Sequence, residues 1–171
     1  MEKKYLYSPW RLQYILSEKT GECIFCQKPD AGKDEQQLIL YRSKHSFVIM
    51  NLFPYNNGHV MVVPCKHVST LSKLSRPVLH DLFETVQLTE SVLYKVYKCE
   101  GMNIGLNLGK AAGAGVDEHL HVHLVPRWSG DGNFMCVIGG ERVIPEEFET
   151  AYKKLKAEFN SRKVPTGDQK C

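Results

Sequence analysis

Three histidines alternate with apolar residues late in the chain, at His119, His121 and His123. Side chains on a strand point to opposite faces with a period of two, so an extended conformation places the three imidazoles together on one face. A helix would spread them around its surface. Three of the chain's seven histidines fall here, and imidazole changes charge near neutral pH. The row therefore predicts nucleophilic, acid–base or metal chemistry.

Two plainer interpretations stay open for this row: the exposed polar face of an ordinary strand, and a metal site of the His-X-His type. A segment of small residues just upstream favours catalysis, because it carries Gly109, Gly113 and Gly115 among alanines. Glycine lets backbone N–H groups approach a ligand closely, as in loops that cradle phosphate. Alone, the segment is compatible with a plain turn. Beside three histidines it predicts a phosphate cradle that faces potential nucleophiles.

Two cysteines, Cys23 and Cys26, are separated by two residues, a spacing typical of metal-binding knuckles. The same spacing is compatible with a redox pair or with free thiols. Zinc requires two more ligands, and His67 and His119 are candidates. The N-terminus lacks the apolar core of a secretion signal, so no disulfide framework is expected. The remaining cysteines are predicted to be isolated and inert: Cys65, Cys99, Cys136 and Cys171.

Together these motifs resemble the signature of the histidine triad (HIT) family of nucleotidyl hydrolases and transferases, over roughly residues 20 to 145. The segment from Phe47 to His59 resembles the family's nucleoside-binding hairpin. Segments 51–56, 105–109 and 126–128 are most similar to the diadenosine tetraphosphate phosphorylase branch. The pattern departs at Gly115 and Val116, where many members carry a hydroxyl residue that contacts phosphate. The loop here is therefore expected to act through its backbone.

The resemblance implies that His121 attacks the α-phosphate of a dinucleoside polyphosphate and forms a nucleotidyl-histidine intermediate, with water or orthophosphate as the acceptor. Phosphorolysis of diadenosine tetraphosphate to ADP and ATP is the expected reaction. His123 is implied to contact phosphate, and His119 to position the row or bind zinc. The implied nucleotide-binding residues are Asn51, His59, Asn107, Gly113, Ala114, Gly115 and His123. The implied ligands of a structural zinc are Cys23, Cys26, His67 and His119, and no organic cofactor is expected.

Two other functions stay open at this point. One is a purely hydrolytic enzyme that acts on dinucleoside polyphosphates or nucleoside phosphoramidates. The other is a non-catalytic module that binds nucleotide or metal, although such a module has no need of a nucleophile at His121. On the apolar strand before Asn51, Phe47 and Ile49 are candidates for the wall of a base pocket or for plain core.

Composition is that of an ordinary globular protein, with 43% hydrophobic and 24% charged residues. The net charge is +3 and the basic residues are scattered, so no nucleic-acid-binding face is expected. No apolar run is long enough to span a bilayer, and a cytoplasmic location is expected. The family resemblance implies a homodimer, and a tetramer is possible in the phosphorylase-like branch.

Hydrophobic periodicity predicts an α+β fold that would position these residues: an antiparallel sheet of about five strands, one long helix and a C-terminal helix. The chain is expected to form a single HIT-like domain over residues 1–171, with an N-terminal extension at 1–20 and a flexible tail at 164–171. A short helix is expected to begin near Ser8. The predicted strands are 38–42, 47–51, 60–63, 102–108 and 119–125, and the main helices are 75–98 and 145–162.

Overall fold

A five-stranded antiparallel sheet forms the centre of the protein. The computed structural model describes residues 23–27, 31–132 and 146–162. The strands are β1 (Ile39–Arg42), β2 (Ser46–Met50), β3 (Val60–Pro64), β4 (Gly101–Gly105) and β5 (Val122–Arg127). Their order across the sheet is β1-β2-β3-β5-β4, and every neighbouring pair is antiparallel. The predicted fold class is confirmed.

Two helices pack on one face of the sheet. Helix α1 (Arg76–Tyr97) begins after Ser75 with a proline in its first turn, and it ends where Lys98 takes a left-handed conformation. Proline is tolerated there because the first N–H groups of a helix have no intrahelical partner. Helix α2 (Phe148–Ser161) packs against α1 and β1. Both helices lie within one to three residues of their predicted ends.

Alternation along the strands divides the apolar side chains between two faces. On β3, Val60 and Val62 join the main core beneath the helices. Met61 and Val63 point the other way, into a second cluster with Phe25, Ile39, Phe47 and Ile49. The two central strands β2 and β3 are buried on both faces, which explains their nearly continuous apolar sequence. The predicted site residues His119 and His121 lie on the second face, against Phe25.

The strands that flank the glycine segment are shorter or displaced relative to their predicted bounds. Strand β4 ends at Gly105 rather than at Leu108, because Gly105 pairs with His123 near the start of β5. Strand β5 begins at Val122 rather than at His119, and the Leu120 N–H bonds instead to the Val68 carbonyl, 2.6 Å away. His119 and His121 therefore precede the regular ladder, although the chain around them stays extended enough to keep the alternation.

The connection between β2 and β3 carries several polar residues to the edge of the histidine face. Its tight turn requires Gly58, which has a φ of +72°, a conformation that costs other residues free energy. A Cβ at this position would also overlap the Tyr97 ring of α1. The turn is closed by the His59 N–H, which donates to the Asn56 carbonyl at 3.2 Å. Glycine at this position thus places His59 immediately before β3.

Some sequence predictions fall outside the described residues, namely the short N-terminal helix near Ser8, the extension at 1–20, the tail at 164–171 and the isolated thiols Cys136 and Cys171. In the described part of the chain, no helix is both long and apolar enough to cross a membrane. Cys99 is a free, buried thiol, as predicted. Cys65 is disulfide-bonded, so the prediction of an isolated thiol at this position is wrong. The expectation drawn from the N-terminal residues concerned a disulfide framework and does not exclude a single bond.

Candidate active site

The three alternating histidines lie on the sheet face opposite the helices. The residues between and after them, Leu120, Val122 and Leu124, are all part of the main core. Burial of those apolar side chains fixes the register of the segment, because a slip of one residue would exchange the two faces. His119 and His121 are buried, and His123 is half-buried. The predicted common face is confirmed by this arrangement.

At the first end of the row, four predicted metal ligands come together. The ligand atoms of Cys23, Cys26, His67 and His119 all lie within 4.8 Å of one another. The His119 Nδ1 atom is 3.2 Å from Cys23 Sγ and 3.5 Å from Cys26 Sγ. The His67 Nδ1 atom is 3.2 Å from Cys26 Sγ. Residues far apart in the sequence therefore converge on one small volume.

The dimensions of this cluster fit a tetrahedral zinc ion. Zinc bonds of about 2.3 Å to sulfur and about 2.0 Å to nitrogen place neighbouring sulfur and nitrogen ligands about 3.5 Å apart. The observed sulfur–nitrogen distances of 3.2 to 3.5 Å are close to that edge length. Two thiolates and two imidazoles are also a donor set typical of zinc. The chemistry and spacing of the four residues therefore fit a four-coordinate zinc ion.

The tautomer of His119 is set by a backbone carbonyl. Its Nε2 atom lies 2.8 Å from the Pro64 carbonyl oxygen, which can only accept, so Nε2 carries the hydrogen. A neutral ring protonated at Nε2 presents a lone pair at Nδ1, the atom that faces the two thiols. Burial lowers the pKa of His119. The fold thus prepares this histidine as a ligand through Nδ1.

The middle histidine has the opposite arrangement. His121 Nδ1 lies 2.8 Å from the His119 carbonyl oxygen, so Nδ1 donates and the lone pair is left on Nε2. Burial lowers the pKa of His121, partly opposed by this hydrogen bond. The Phe25 ring packs 5.3 Å from the His121 ring and 5.4 Å from the His119 ring. A neutral imidazole with a free Nε2 is the form required of a nucleophile.

The third histidine is oriented by His59, which lies immediately before β3. The Tyr55 N–H donates to His59 Nδ1 at 3.0 Å, so His59 carries its hydrogen on Nε2. This Nε2 lies 3.0 Å from His123 Nδ1 and donates to it. His123 must then carry its own hydrogen on Nε2. One backbone hydrogen bond to His59 and one between the two imidazoles therefore make His123 a hydrogen-bond donor through Nε2.

Burial also keeps this pair of rings neutral. Desolvation, followed by the neighbouring His123 and His121, lowers the pKa of His59 to about 3. Desolvation and the adjacent His121 lower the pKa of His123 to about 4. Clustered imidazoles disfavour protonation of one another because each cation would raise the local potential. The hydrogen-bonding pattern described above is therefore the one present at neutral pH.

The predicted phosphate cradle, the glycine segment around Gly109 to Gly115, lies in the connection between β4 and β5. The segment from Leu106 to His121 connects β4 to β5, whose pairing ends at Gly105 and His123. Gly109 and Gly113 have φ values of +81° and +86°. The N–H groups of Gly113 and Ala114 are bonded within the loop, to the Lys110 and Gly109 carbonyls. A phosphate held by these two N–H groups would require the turn to rearrange.

Other predicted nucleotide-binding residues occupy different positions around the row. Asn51 Oδ1 accepts from the Phe53 N–H at 2.9 Å, and its Nδ2 lies 3.2 Å from His59 Nδ1. Asn107 is half-buried just after β4. Gly115 is exposed, and a Cβ there would meet nothing within 4 Å, so space alone does not exclude a hydroxyl side chain. Phe47 and Ile49 pack in the second apolar cluster.

Sequence reasoning missed a polar network that holds the β2–β3 connection. Both carboxylate oxygens of Asp131 accept from Arg127, at 2.6 and 2.8 Å. One of them also accepts from buried Asn56 Nδ2 at 2.8 Å, and this amide donates to the Pro126 carbonyl at 3.1 Å. The backbone carbonyl of Asn56 in turn accepts from the His59 backbone N–H. The available signal in the sequence was the opposite charge of Arg127 and Asp131, four residues apart at the end of β5. Nothing in the sequence near Asn56 indicates that it joins this pair.

The chain is similar in sequence to a known protein family. The family model described as HIT domain matches residues 33–130. An AP-4-A phosphorylase from Mycobacterium tuberculosis is 38% identical over 163 residues, which cover 90% of this chain and 83% of that protein. A bis(5'-adenosyl)-triphosphatase from Saccharomyces cerevisiae is 37% identical over 91 residues, covering 53% of this chain and 44% of that protein.

Solved structures agree with the sheet and helices described above. A zinc-bound histidine triad family protein from Mycobacterium smegmatis aligns with a TM-score of 0.63 and 25% identity, covering 82% of this chain and 94% of that one. The C. elegans NitFhit protein aligns with a TM-score of 0.58 and 31% identity, covering 71% of this chain and 26% of that one. The family model matches more than half of the chain, and the Mycobacterium tuberculosis relative is similar over 90% of it. The chain therefore belongs to the HIT domain family.

Proposed function

We propose that this protein cleaves dinucleoside polyphosphates by nucleotidyl transfer to His121. The observation that carries the proposal is the 2.8 Å hydrogen bond from His121 Nδ1 to the His119 carbonyl. It holds the ring proton away from the reaction and aims an Nε2 lone pair out of the row. A binding module would gain nothing from this arrangement, which therefore favours an enzyme over a non-catalytic module.

The first step is an in-line displacement at phosphorus. His121 Nε2 forms a bond to the α-phosphorus, and the bond from that phosphorus to the bridging oxygen of the β-phosphate breaks. The electron pair stays on the departing oxygen. The His121 ring becomes cationic, and its Nδ1–H remains bonded to the His119 carbonyl, which stabilises the new charge. His123 Nε2–H donates a hydrogen bond to the departing oxygen, where negative charge develops.

Binding of the substrate is assigned to the residues around this row. Asn51 is proposed to contact the ribose, and His59 to orient His123. Asn107, Gly113, Ala114 and Gly115 are proposed to face the phosphates with backbone and amide donors. Because Gly113 and Ala114 donate within the loop, their part requires the loop to adjust on binding. Lys110, exposed in the same loop, adds positive charge nearby.

The second step transfers the nucleotidyl group from His121 to an acceptor. Orthophosphate would turn the AMP group of diadenosine tetraphosphate into ADP, while water would yield AMP. In both cases the first product is ATP. The resemblance over 90% of the chain to a protein named AP-4-A phosphorylase supports phosphate as the acceptor. Purely hydrolytic cleavage of dinucleoside polyphosphates or phosphoramidates is the alternative. The yeast relative named bis(5'-adenosyl)-triphosphatase supports hydrolysis of the first of these substrate classes.

A structural zinc is proposed at Cys23, Cys26, His67 and His119. Four protein ligands leave no open position on a tetrahedral ion, so the metal would supply rigidity rather than chemistry. Its contribution to the reaction would pass through the backbone, since a ligated His119 fixes the carbonyl that receives the His121 Nδ1–H. The support is the convergence of the four ligand atoms and their spacing.

A homodimer, or a tetramer built from it, is proposed as the assembly. Strand β4 lies at the edge of the sheet and carries Ile104, which is 45% exposed. An exposed edge strand with an apolar side chain is a surface that pairs readily with another chain. Sedimentation analysis of the wild type and of Ile104→Lys would measure this assembly.

Product analysis tests the proposed reaction. Purified protein is incubated with diadenosine tetraphosphate, with and without orthophosphate, and the nucleotides are separated and quantified. The expected result is equimolar ADP and ATP in the presence of phosphate. AMP as the only second product at saturating phosphate would identify a hydrolase. No cleavage under either condition, by protein shown to be folded, would refute the assignment.

A further inference from the structure

An exposed aromatic ring lies beside the histidine face, outside the roles assigned so far. Tyr55, in the β2–β3 connection, is 55% exposed. Its ring centroid is 4.7 Å from that of His59 and 6.0 Å from that of His123. Single exposed aromatic residues are common and by themselves indicate nothing. The position of this one, against two rings of the reactive row, is the informative feature.

The rings form a continuous line that leads away from the nucleophile. Centroid distances are 4.8 Å from His121 to His123 and 5.1 Å from His123 to His59. Tyr55 follows next to His59. Phe25 lies on the other side, 5.3 Å from His121 and buried. The line of rings thus begins at His121 beside the buried Phe25 ring and ends in the exposed ring of Tyr55.

The geometry of displacement indicates which part of a substrate reaches Tyr55. Attack by His121 Nε2 requires the departing oxygen to lie on the far side of the phosphorus. The donor for that oxygen is His123 Nε2–H, and His123 stands between His121 and Tyr55. The departing phosphate chain therefore runs past His123, and the group at its far end lies towards the exposed ring.

We propose that Tyr55 is a stacking surface for the base of the departing nucleotide, which makes it a determinant of specificity for substrates with a nucleoside at both ends. This rests on the proposed nucleotidyl transfer. A tyrosine ring offers a rigid, sequence-tolerant π-face at low entropic cost, and base–aromatic stacking is a sizeable part of nucleotide binding. The Tyr55 backbone N–H, which orients His59, is retained in any substitution other than proline, so ring and backbone roles can be separated.

A pair of substrates isolates the effect. Diadenosine tetraphosphate and adenosine 5′-tetraphosphate carry the same adenosine and the same phosphate chain, and only the first has a second base. In Tyr55→Ala, kcat/KM for diadenosine tetraphosphate is expected to fall about tenfold, the scale of one lost base–aromatic stack. The value for adenosine 5′-tetraphosphate is expected to stay within about twofold, since backbone and histidines are unchanged.

Two further variants serve as controls. Tyr55→Phe keeps the ring and is expected to keep both activities. Leu52→Ala removes a side chain of similar exposure, 57%, from the same connection, and is expected to leave both values unchanged. An equal fall for both substrates, no fall in Tyr55→Ala, or the same selective fall in Leu52→Ala would overturn the inference. A wild-type protein that cleaves neither substrate would remove the proposed function and this inference together, whereas intact cleavage without substrate discrimination would remove only the inference.

Discussion

The histidine row has two ends: a metal end, His119 with Cys23, Cys26 and His67, where zinc is proposed, and a reactive end, His121 with His123, where the nucleophile is proposed. His119 and His121 differ in which ring nitrogen a backbone carbonyl holds. At the metal end, the Pro64 carbonyl holds His119 Nε2, and Nδ1 faces two thiols. At the reactive end, the His119 carbonyl holds His121 Nδ1, and Nε2 is free. Residues two positions apart on one extended segment thus present opposite nitrogens.

The difference shows that backbone hydrogen bonds, rather than residue type, decide which ring nitrogen presents the lone pair. Both rings are buried and have lowered pKa values, so both are neutral lone-pair donors. Their surroundings also differ, because Cys23 and Cys26 lie within reach of His119 Nδ1, whereas the His123 ring lies 4.8 Å from that of His121. The two ends are also coupled, because the carbonyl that fixes His121 belongs to the proposed ligand His119.

The largest expected effect comes from removing the free nitrogen. His121→Asn and His121→Gly should lower turnover of diadenosine tetraphosphate by at least about 10³-fold, since a covalent route is lost outright. His80→Asn, on an exposed part of α1, serves as the matched control and should keep full activity. Steady-state kinetics with thermal unfolding of each variant checks this. Substantial turnover by a folded His121 variant would show that His121 is not the nucleophile.

Removing a ligand at the metal end should act first on stability. Cys26→Ala should abolish stoichiometric zinc and lower the free energy of unfolding by more than about 4 kcal/mol, the stabilisation expected from a metal present at a thousandfold excess over its Kd. Turnover should fall less than in the His121 variants, because the nucleophile is retained. Elemental analysis and chemical denaturation measure both effects.

Cys99→Ala provides the control for this experiment, because it removes a buried free thiol elsewhere. It should retain one zinc per chain. Stoichiometric zinc in Cys26→Ala, or none in the wild type purified without chelator, would contradict the assigned metal end.

A smaller effect is expected from the residue that orients His123. His59→Phe keeps an aromatic ring but removes the donor to His123 Nδ1, leaving His123 free to adopt the other tautomer. Loss of such an orienting partner typically costs about 10- to 100-fold in activity. kcat should fall by that factor with zinc content unchanged. His80→Phe is the matched substitution at an exposed histidine, and an equal loss there would refute a positioning role.

The smallest effect is on the pH dependence of stability. Folding lowers the pKa of His59 to about 3 and of His123 to about 4, from an ordinary value of 6.5. The unfolded chain therefore binds more protons below pH 6.5, so the stabilisation is complete above that pH and is lost as pH falls from 6.5 towards 4 and 3. Thermal unfolding across this range should show the decline, with a shallower slope in His59→Phe. Equal slopes would contradict the neutral pair.

Much of the fold and the membership of the site could be predicted from sequence. Alternation fixed the histidine face, and the spacing of apolar positions located α1 within about one residue at each end. The C-x-x-C pair pointed to a metal, and the resemblance supplied the matching histidines. These are local patterns, in which the period of the backbone determines which side chains share a face.

The remainder depends on contacts between distant parts of the chain. The Pro64 carbonyl that holds His119 and the Tyr55 N–H that orients His59 are backbone groups and leave no trace in residue type. The Asn56–Asp131 bond spans 75 residues. The early end of β4 arose because its partner β5 begins only at Val122, which periodicity within β4 could not reveal.

The most direct test of the account is to locate the covalent intermediate. Protein mixed with diadenosine tetraphosphate without orthophosphate is quenched rapidly under alkaline conditions, which preserve phosphoramidates, and its peptides are analysed by mass spectrometry. The account predicts one AMP group on His121, bonded at Nε2, and none on His119 or His123. Adduct on another histidine, or turnover with no adduct at any time, would contradict it.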